Sequence, residues 1–305
     1  MPHREKDWIA TIDPARPVLL AGPTASGKSS LALRLAERTG GPIVNADALQ
    51  VFSDWRILTA RPSVADELKH PHHLYGHVPG TTDYSVGHWL REVAPFLSGP
   101  APIIVGGTGL YFTALTEGLA EIPPTPQDIR SEAMRRLEAE GPSALLAELD
   151  AMTAERIDRN NPMRIQRAWE VLTTTGKGLA AWQDETPAPA LPLDETQAIV
   201  LNAPKDWLTP RIEQRFDLMI DEGALVEARA NAPRWSPGAP SAKAIGAAEL
   251  VAVTRSEMSL EAAREAAITK TRQYAKRQRS WFRARMRDWQ WIDAGTLDPT
   301  TYVSV

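Results

Sequence analysis

Residues 22–29 read Gly22-Pro23-Thr24-Ala25-Ser26-Gly27-Lys28-Ser29, a complete G-x-x-x-x-G-K-[ST] phosphate loop. This motif constrains the fold because it works only between a strand and a helix. The apolar run Pro17-Val18-Leu19-Leu20-Ala21 supplies the strand, and Ser30 to Arg38 supplies the helix. The glycines let successive backbone N–H groups wrap an anion, and the helix N-terminus adds a partial positive charge at the same point. Lys28 contributes a movable cation, and the Ser29 hydroxyl is placed to ligate Mg²⁺. The chain therefore binds a phosphate or diphosphate. The loop alone does not fix the reaction, because kinases, nucleoside triphosphatases and transferases share it.

Around the loop the chain alternates strand and helix, the pattern of a parallel α/β sheet. Further strands are expected at Pro42–Ala46 and Ala101–Val105, with a helix over Ser85–Phe96 between them. After Gly118 the pattern turns helical. One helix runs from Asp128 to Glu140 and stops at Gly141-Pro142; another opens at Asn161-Pro162 and closes at Gly176. The proline-bearing stretch Gln183–Asp194 reads as a linker, and Thr196–Leu201 as a strand that resumes the sheet. The expected architecture is a discontinuous phosphate-loop NTPase-like core, residues 1–117 and 191–305, with an all-helical insertion over 118–190.

Composition narrows the class. With 43% hydrophobic and 24% charged residues the chain reads as globular, and no apolar run approaches the roughly 18 residues of a membrane span. Met1 to Arg16 is polar, without the apolar core of a signal peptide, so the expected compartment is the cytoplasm. The absence of cysteine excludes disulfides, a thiolate nucleophile and Cys-ligated zinc. The net charge of −4 argues against a nucleic-acid partner only as an average: Arg264 to Arg287 holds nine Lys/Arg and one acid, Glu265.

Three constellations then carry chemistry. Asp47 follows the second strand beside the phosphate loop, where it could act as a general base or hold Mg²⁺. Ile103-Ile104-Val105 leads into Gly106-Gly107-Thr108-Gly109-Leu110-Tyr111, glycines and a hydroxyl where many ATPases place an acid, and no Asn-Lys-x-Asp motif comes later. A transferase fits this better than a hydrolase that activates water. Finally, Arg272, Lys276, Arg279, Arg283 and Arg287 fall on one helical face, with Tyr274, Trp281 and Trp289 opposite. That helix is either a solvated basic element or one whose cations touch phosphates while its aromatics pack on the core.

Together these pieces resemble the tRNA dimethylallyltransferase (isopentenyltransferase) family over roughly Val18 to Trp291. Gly22–Ser29 is similar to the family's G-P-T-A-S-G-K-[ST], Asn45–Phe52 to S-x-D-S-x-Q-V-Y, and Thr59–Pro62 to its T-A-K-P. Pro71–Leu74 is similar to P-H-H-L, Gly106–Tyr111 to G-G-T-G-L-Y, and Asn161–Ala168 to N-D-P-x-R-x-x-R-A. Gly176-Lys177, Trp182-Gln183, Arg211–Phe216 and Lys276–Arg283 complete the set.

The resemblance implies transfer of a dimethylallyl group from its diphosphate to N6 of adenosine 37, in tRNAs reading codons that begin with U. It implies that Lys28, Arg215, the amides of Gly22, Pro23, Thr24, Ala25, Ser26 and Gly27, and Mg²⁺ on Ser29 hold the diphosphate. Asp47 would accept the amine proton and Thr108 would hydrogen-bond the adenine. The anticodon stem-loop would be met by Asp47, Ala48, Leu49, Gln50, Arg130, Met163, Arg164, Ile165, Gln166, Arg167, Lys243 and the basic helix through Lys276, Arg279 and Arg283. A monomer without membrane association is expected. A transferase acting on free AMP or ADP and a small-metabolite kinase are the alternatives. Departures from the family pattern are Ala48 for serine, Phe52 for tyrosine, Leu58 for glycine, Asn161 for aspartate, and Ala247-Ala248 where two larger residues are usual. His70, His72, His73 and His77 read as loop and capping residues, and most of the ten tryptophans as core.

Overall fold

The computed structural model describes residues 5–297, so the first residues of the polar N-terminal stretch lie outside the described part. Six strands form one wholly parallel sheet: β1 Val18–Ala21, β2 Ile43–Asn45, β3 His72–His73, β4 Ile103–Gly106, β5 Gln197–Asn202 and β6 Gln290–Asp293. Their order across the sheet is β3-β2-β4-β1-β5-β6. The central strand β1 pairs with β4 through Leu19↔Ile104 and with β5 through Leu19↔Ala198.

β1 and β4 are buried along their whole length, which is why they read as unbroken apolar runs rather than as alternating ones. Side chains alternate across the strand, so Val18 and Leu20 join one core with Ile103 and Val105. Leu19 and Ala21 join the other with Val44, Ile104 and Val200. Each fully buried Leu or Ile contributes about 1.5–3 kcal/mol relative to exposure.

The helix Lys28–Thr39 leaves the phosphate loop and buries Leu31, Ala32, Leu35 and Ala36 on the first core. Two longer helices complete the side that matters for the site. Lys205–Asp221 carries Arg215; Leu260–Arg285, capped by the Ser259 hydroxyl on the Ala262 N–H, carries the basic cluster. Bidentate Arg264–Asp217 contacts and an Arg272–Glu213 ion pair tie these two helices together. Small residues, Ala263, Ala267 and Ala275, line the buried stripe of the long helix, which packs on Lys205–Asp221 and on the helix Ala247–Thr254.

The chain divides into two compact units, one formed by the residues up to Thr116 with those from Leu191, the other by Glu117–Ala190. The second unit is all helical among the described residues, with a core of Ala133, Leu145, Ile165 and Trp169. Its helix Pro162–Thr175 is capped by the Asn161 side chain and ended by Gly176 at φ 69°.

Several sequence expectations change. The sheet gains β3 and β6, and Ser85–Phe96 is an α-helix over Val86–Val93 followed by a 3₁₀ turn. The linker is shorter than Gln183–Asp194, because the helix Leu179–Asp184 runs into it. His72 and His73 form a strand rather than a loop. The long helix ends at Arg285, so Arg287 and Trp289 lie beyond it and do not continue its faces.

Candidate active site

The site gathers at the carboxyl ends of β1, β2 and β4, where strand order reverses in a sheet of this kind. After β1 the loop takes left-handed conformations at Ala25 (φ 62°) and Gly27 (φ 84°), turning backbone N–H groups inward. Gly27 is the N-cap of the following helix and provides no side-chain acceptor, so the first N–H groups of that helix stay open to an anion.

Lys28 sits among these groups, its Nζ 3.4 Å from the Pro23 carbonyl. Burial, then the neighbouring Arg215 guanidinium, push its ammonium down to about 8, while Asp47 pulls the other way. Burial lowers Arg215 as well, again against Asp47. Arg215 donates from Nη1 to the Thr24 hydroxyl at 2.8 Å. Two cations crowded together without a paired carboxylate make a site suited to an anion.

Asp47 emerges just past β2. The Asn45 side chain accepts the Asp47 N–H at 2.8 Å, and Asp47 Oδ1 accepts the Leu49 N–H at 3.0 Å, which fixes the carboxylate at the mouth of the crevice. Thr108, past β4, accepts the Ala48 N–H on its hydroxyl at 2.9 Å and donates its own N–H to the Ala46 carbonyl at 3.2 Å. The Asp47 and Thr108 loops are thereby locked to one another.

Two cavities meet here. The larger, about 350 Å³, is lined by the loop residues Ser26 to Ser29 and by Ile43, Arg61, Tyr75, Val105 and Arg211. The smaller, about 80 Å³, is lined by Thr24, Asp47, Leu58, Thr59, Phe216 and Tyr274. Lys28, Gln50 and Arg215 line both.

The structure thus brings Gly22–Ser29, Asp47, Ala48, Leu49, Gln50, Thr108 and Arg215 together. Gln50 commits its side-chain donor to the carbonyls of Thr59 and Ala60, so it shapes the loop between the cavities. On the long helix Lys276 and Arg283 are exposed and Arg279 is partly buried. Arg272 is paired with Glu213. Lys243 is exposed in a 3₁₀ turn.

In the helical unit Arg130, Met163, Arg164 and Arg167 reach the surface, Arg167 also bonding the Thr125 hydroxyl. Ile165 and Gln166 do not. Ile165 is 1% exposed in that unit's core and Gln166 donates to Glu170, so the expectation that both touch an external partner is corrected.

The departures from the family pattern are accommodated locally. Leu58 is buried in the first core, where a Cβ on Gly246 would come within 3.1 Å of it, and Phe52 is buried with Val51 and Val78. Asn161 caps as an aspartate would.

Two residues of the site escape the sequence reading. Tyr274, expected on the core-packing face, lines the smaller cavity beside Thr108 and Gln278, its phenol pushed up by burial and by Asp47. Gln278 spans the phosphate loop and the Gly107 loop. Their spacing of four, together with Thr271 on the same side of the helix, is the available signal.

A phosphate loop crowned by two unpaired cations, faced by a fixed carboxylate and lacking an acid after β4, defines a phosphate-loop group transferase. Residues 50–285 match the family model described as IPP transferase, and residues 16–77 that described as isopentenyl transferase. The chain belongs to the IPP transferase family, the tRNA dimethylallyltransferases. It is 61% identical over 290 residues to a tRNA dimethylallyltransferase of Dinoroseobacter shibae, covering 94% of this chain and 98% of the relative. It is 62% identical over 277 residues to that of Roseobacter denitrificans, covering 90% and 98%. Among solved structures, the full-length tRNA isopentenylpyrophosphate transferase of Bacillus halodurans aligns with a TM-score of 0.65 at 29% identity, covering 94% of this chain and 92% of that one. A eukaryotic dimethylallyltransferase acting on tRNA aligns with a TM-score of 0.76 at 27% identity, covering 91% and 73%. No helix among the described residues is long and apolar enough to cross a membrane.

Proposed function

We propose that this chain transfers the dimethylallyl group of dimethylallyl diphosphate to N6 of adenosine 37, in the anticodon stem-loop of tRNAs reading codons that begin with U, and that it works as a cytoplasmic monomer. The observation that carries this reading is the placement of Lys28 and Arg215 on the wall shared by two cavities, with Asp47 in the smaller one. The larger cavity has room for a five-carbon diphosphate, and the smaller receives the edge of a flipped base.

In the reaction the allylic C–O bond breaks and its electron pair leaves with the diphosphate oxygen. The adenine amine forms the new C–N bond. Lys28, Arg215 and the loop amides hold the charge that develops on the leaving group. Asp47 takes the proton released by the amine, and the Thr108 hydroxyl donates to the adenine near N6. Mg²⁺ would be held by the Ser29 hydroxyl together with the diphosphate, since Ser29 lines the larger cavity beside Lys28. Bound there, it would neutralise diphosphate charge. Lys276, Arg279 and Arg283, with Lys243, and Arg130, Met163, Arg164 and Arg167 of the helical unit, position the tRNA backbone.

The test supplies labelled dimethylallyl diphosphate and Mg²⁺ with unmodified tRNA whose anticodon ends in A, with AMP, or with ATP and small alcohols. Label at adenosine 37 supports the reading. Label in AMP alone, or γ-phosphate transfer without prenylation, overturns it in favour of a free-nucleotide transferase or a kinase.

A further inference from the structure

Gln278 is 5% exposed, and its carboxamide bonds two loops, with the Tyr274 phenol of the same helix beside it. Its Oε1 accepts the Thr24 N–H at 2.9 Å, and its Nε2 donates to the Gly107 carbonyl at 3.0 Å. Thr24 belongs to the phosphate loop after β1. Gly107 belongs to the loop after β4, whose next residue, Thr108, is locked to the loop of Asp47. One side chain on the long helix therefore bridges the loop that grips the diphosphate and the loops that face the acceptor.

The fit is specific to an amide. One end must accept from an N–H and the other must donate to a C=O, and only a neutral group with both functions does so. Gly107 lies in the run after β4, where many nucleotide hydrolases carry an acid. A Cβ there would lie 2.2 Å from Gln278 Nε2, so the carboxamide occupies the space a side chain at 107 would take. From the far side Arg215 grips the Thr24 hydroxyl, and Thr24 is held between two helices.

We propose that Gln278 is a positioning residue that sets the distance between leaving group and incoming amine. The proposal rests on the prenyl-transfer reaction proposed for this site. Gln278 touches neither reactant. It acts through Thr24 and Gly107, and a small misplacement of these loops lowers the rate of the chemical step more than it lowers the affinity for either substrate.

The experiment uses the full chain with two variants. Gln278→Met keeps the shape and removes both hydrogen bonds. It is expected to lower single-turnover prenyl transfer by about 30-fold or more while the Kd for pyrophosphate stays within about threefold. It should also speed hydrogen exchange at the Thr24 amide in the ligand-free protein. Gln278→Glu restores the donor–acceptor pair only when its carboxyl is protonated. Burial and the nearby Asp47 carboxylate favour that form, with Lys28 and Arg215 opposing. The ratio of its transfer rate to that of the unaltered enzyme should therefore climb about fivefold or more between about pH 8.5 and pH 6.

A flat ratio, or a Met variant that transfers within about threefold of the unaltered enzyme, overturns the proposal. If the unaltered enzyme itself prenylates no tRNA, the reaction assignment fails instead. Unchanged Thr24 exchange in Gln278→Met would then still refute the bridge, and faster exchange would uphold it.

Discussion

Arg215 and Thr24, 191 residues apart in sequence, meet through a 2.8 Å hydrogen bond that brings a second cation to the phosphate loop. The contact places the guanidinium close enough to Lys28 to help hold its ammonium near about 8. The repulsion between the two cations is relieved when an anion binds between them.

Lys28 should make diphosphate binding depend on pH. In the ligand-free fold the ammonium is lost above about 8, whereas binding a polyanion requires it. The Kd for pyrophosphate should be flat below about pH 7.5 and rise by up to about tenfold per pH unit above 8, with net proton uptake in calorimetry across buffers. Lys28→Met should bind weakly at every pH and lose the rise. The same shift has a stability consequence. Between about 8 and 10.5 the unfolded chain holds more protons at Lys28 than the folded chain, so this residue's penalty on stability is full at low pH and fades as pH rises through that window.

Arg215→Met tests the other half of the pair. It removes a charged hydrogen-bond donor worth about 1.5–3 kcal/mol, so pyrophosphate should bind about 10- to 100-fold more weakly. It also removes a cause of the lowered Lys28 pKa. The pH midpoint for loss of binding should therefore move upward, and a downward move would contradict the arrangement.

Asp47→Asn separates proton transfer from architecture. Asparagine can still accept the Leu49 N–H through its Oδ1, so the loop after β2 should persist. Loss of a general base costs about 10²- to 10⁴-fold in turnover, and that loss is expected with tRNA and pyrophosphate affinities kept. Turnover near that of the unaltered enzyme would remove Asp47 from the chemistry.

Much of this is legible in the sequence, for physical reasons that differ by residue. The strands Val18–Ala21 and Ile103–Gly106 are buried on both faces, and burial on both faces writes an unbroken apolar run. β3 is two histidines long and β6 reads Gln290-Trp291-Ile292-Asp293, edge strands whose polar residues hide them. Lys28 and Asp47 stand out because each lies within a few residues of its strand. Arg215 is fixed by a contact made across the fold, and only resemblance could point to it. Tyr274 and Gln278 depend on the phase of a helix whose basic face draws attention away from its buried one.

Glu227 should matter for the wall of the smaller cavity. Its carboxylate accepts the N–H groups of Arg56, Ile57 and Leu58, at 2.5, 3.0 and 3.0 Å, organising the turn that presents Leu58 and Thr59. Glu227→Ala leaves three donors without their acceptor and should destabilise the protein by about 2–4 kcal/mol, read as a fall in denaturant midpoint. Glu227→Gln keeps one acceptor oxygen and should cost less. Equal losses for the two variants would show that the one oxygen kept by glutamine contributes nothing without the full carboxylate.

The basic helix makes the last prediction, about salt. Lys276 and Arg283 are exposed on one face, whereas Arg272 on that same face is paired with Glu213. If Lys276 and Arg283 each neutralise one phosphate, replacing both by glutamine lowers the slope of log K against log salt for tRNA by about 1.4–1.8 units. Arg272→Gln should leave the slope nearly unchanged, because its charge already has a partner. Pyrophosphate affinity should be the same in both variants, since none of these side chains lines either cavity. A slope that falls as much for Arg272→Gln as for either single change at Lys276 or Arg283 would mean that the Glu213 pair opens when tRNA arrives and that the whole face binds.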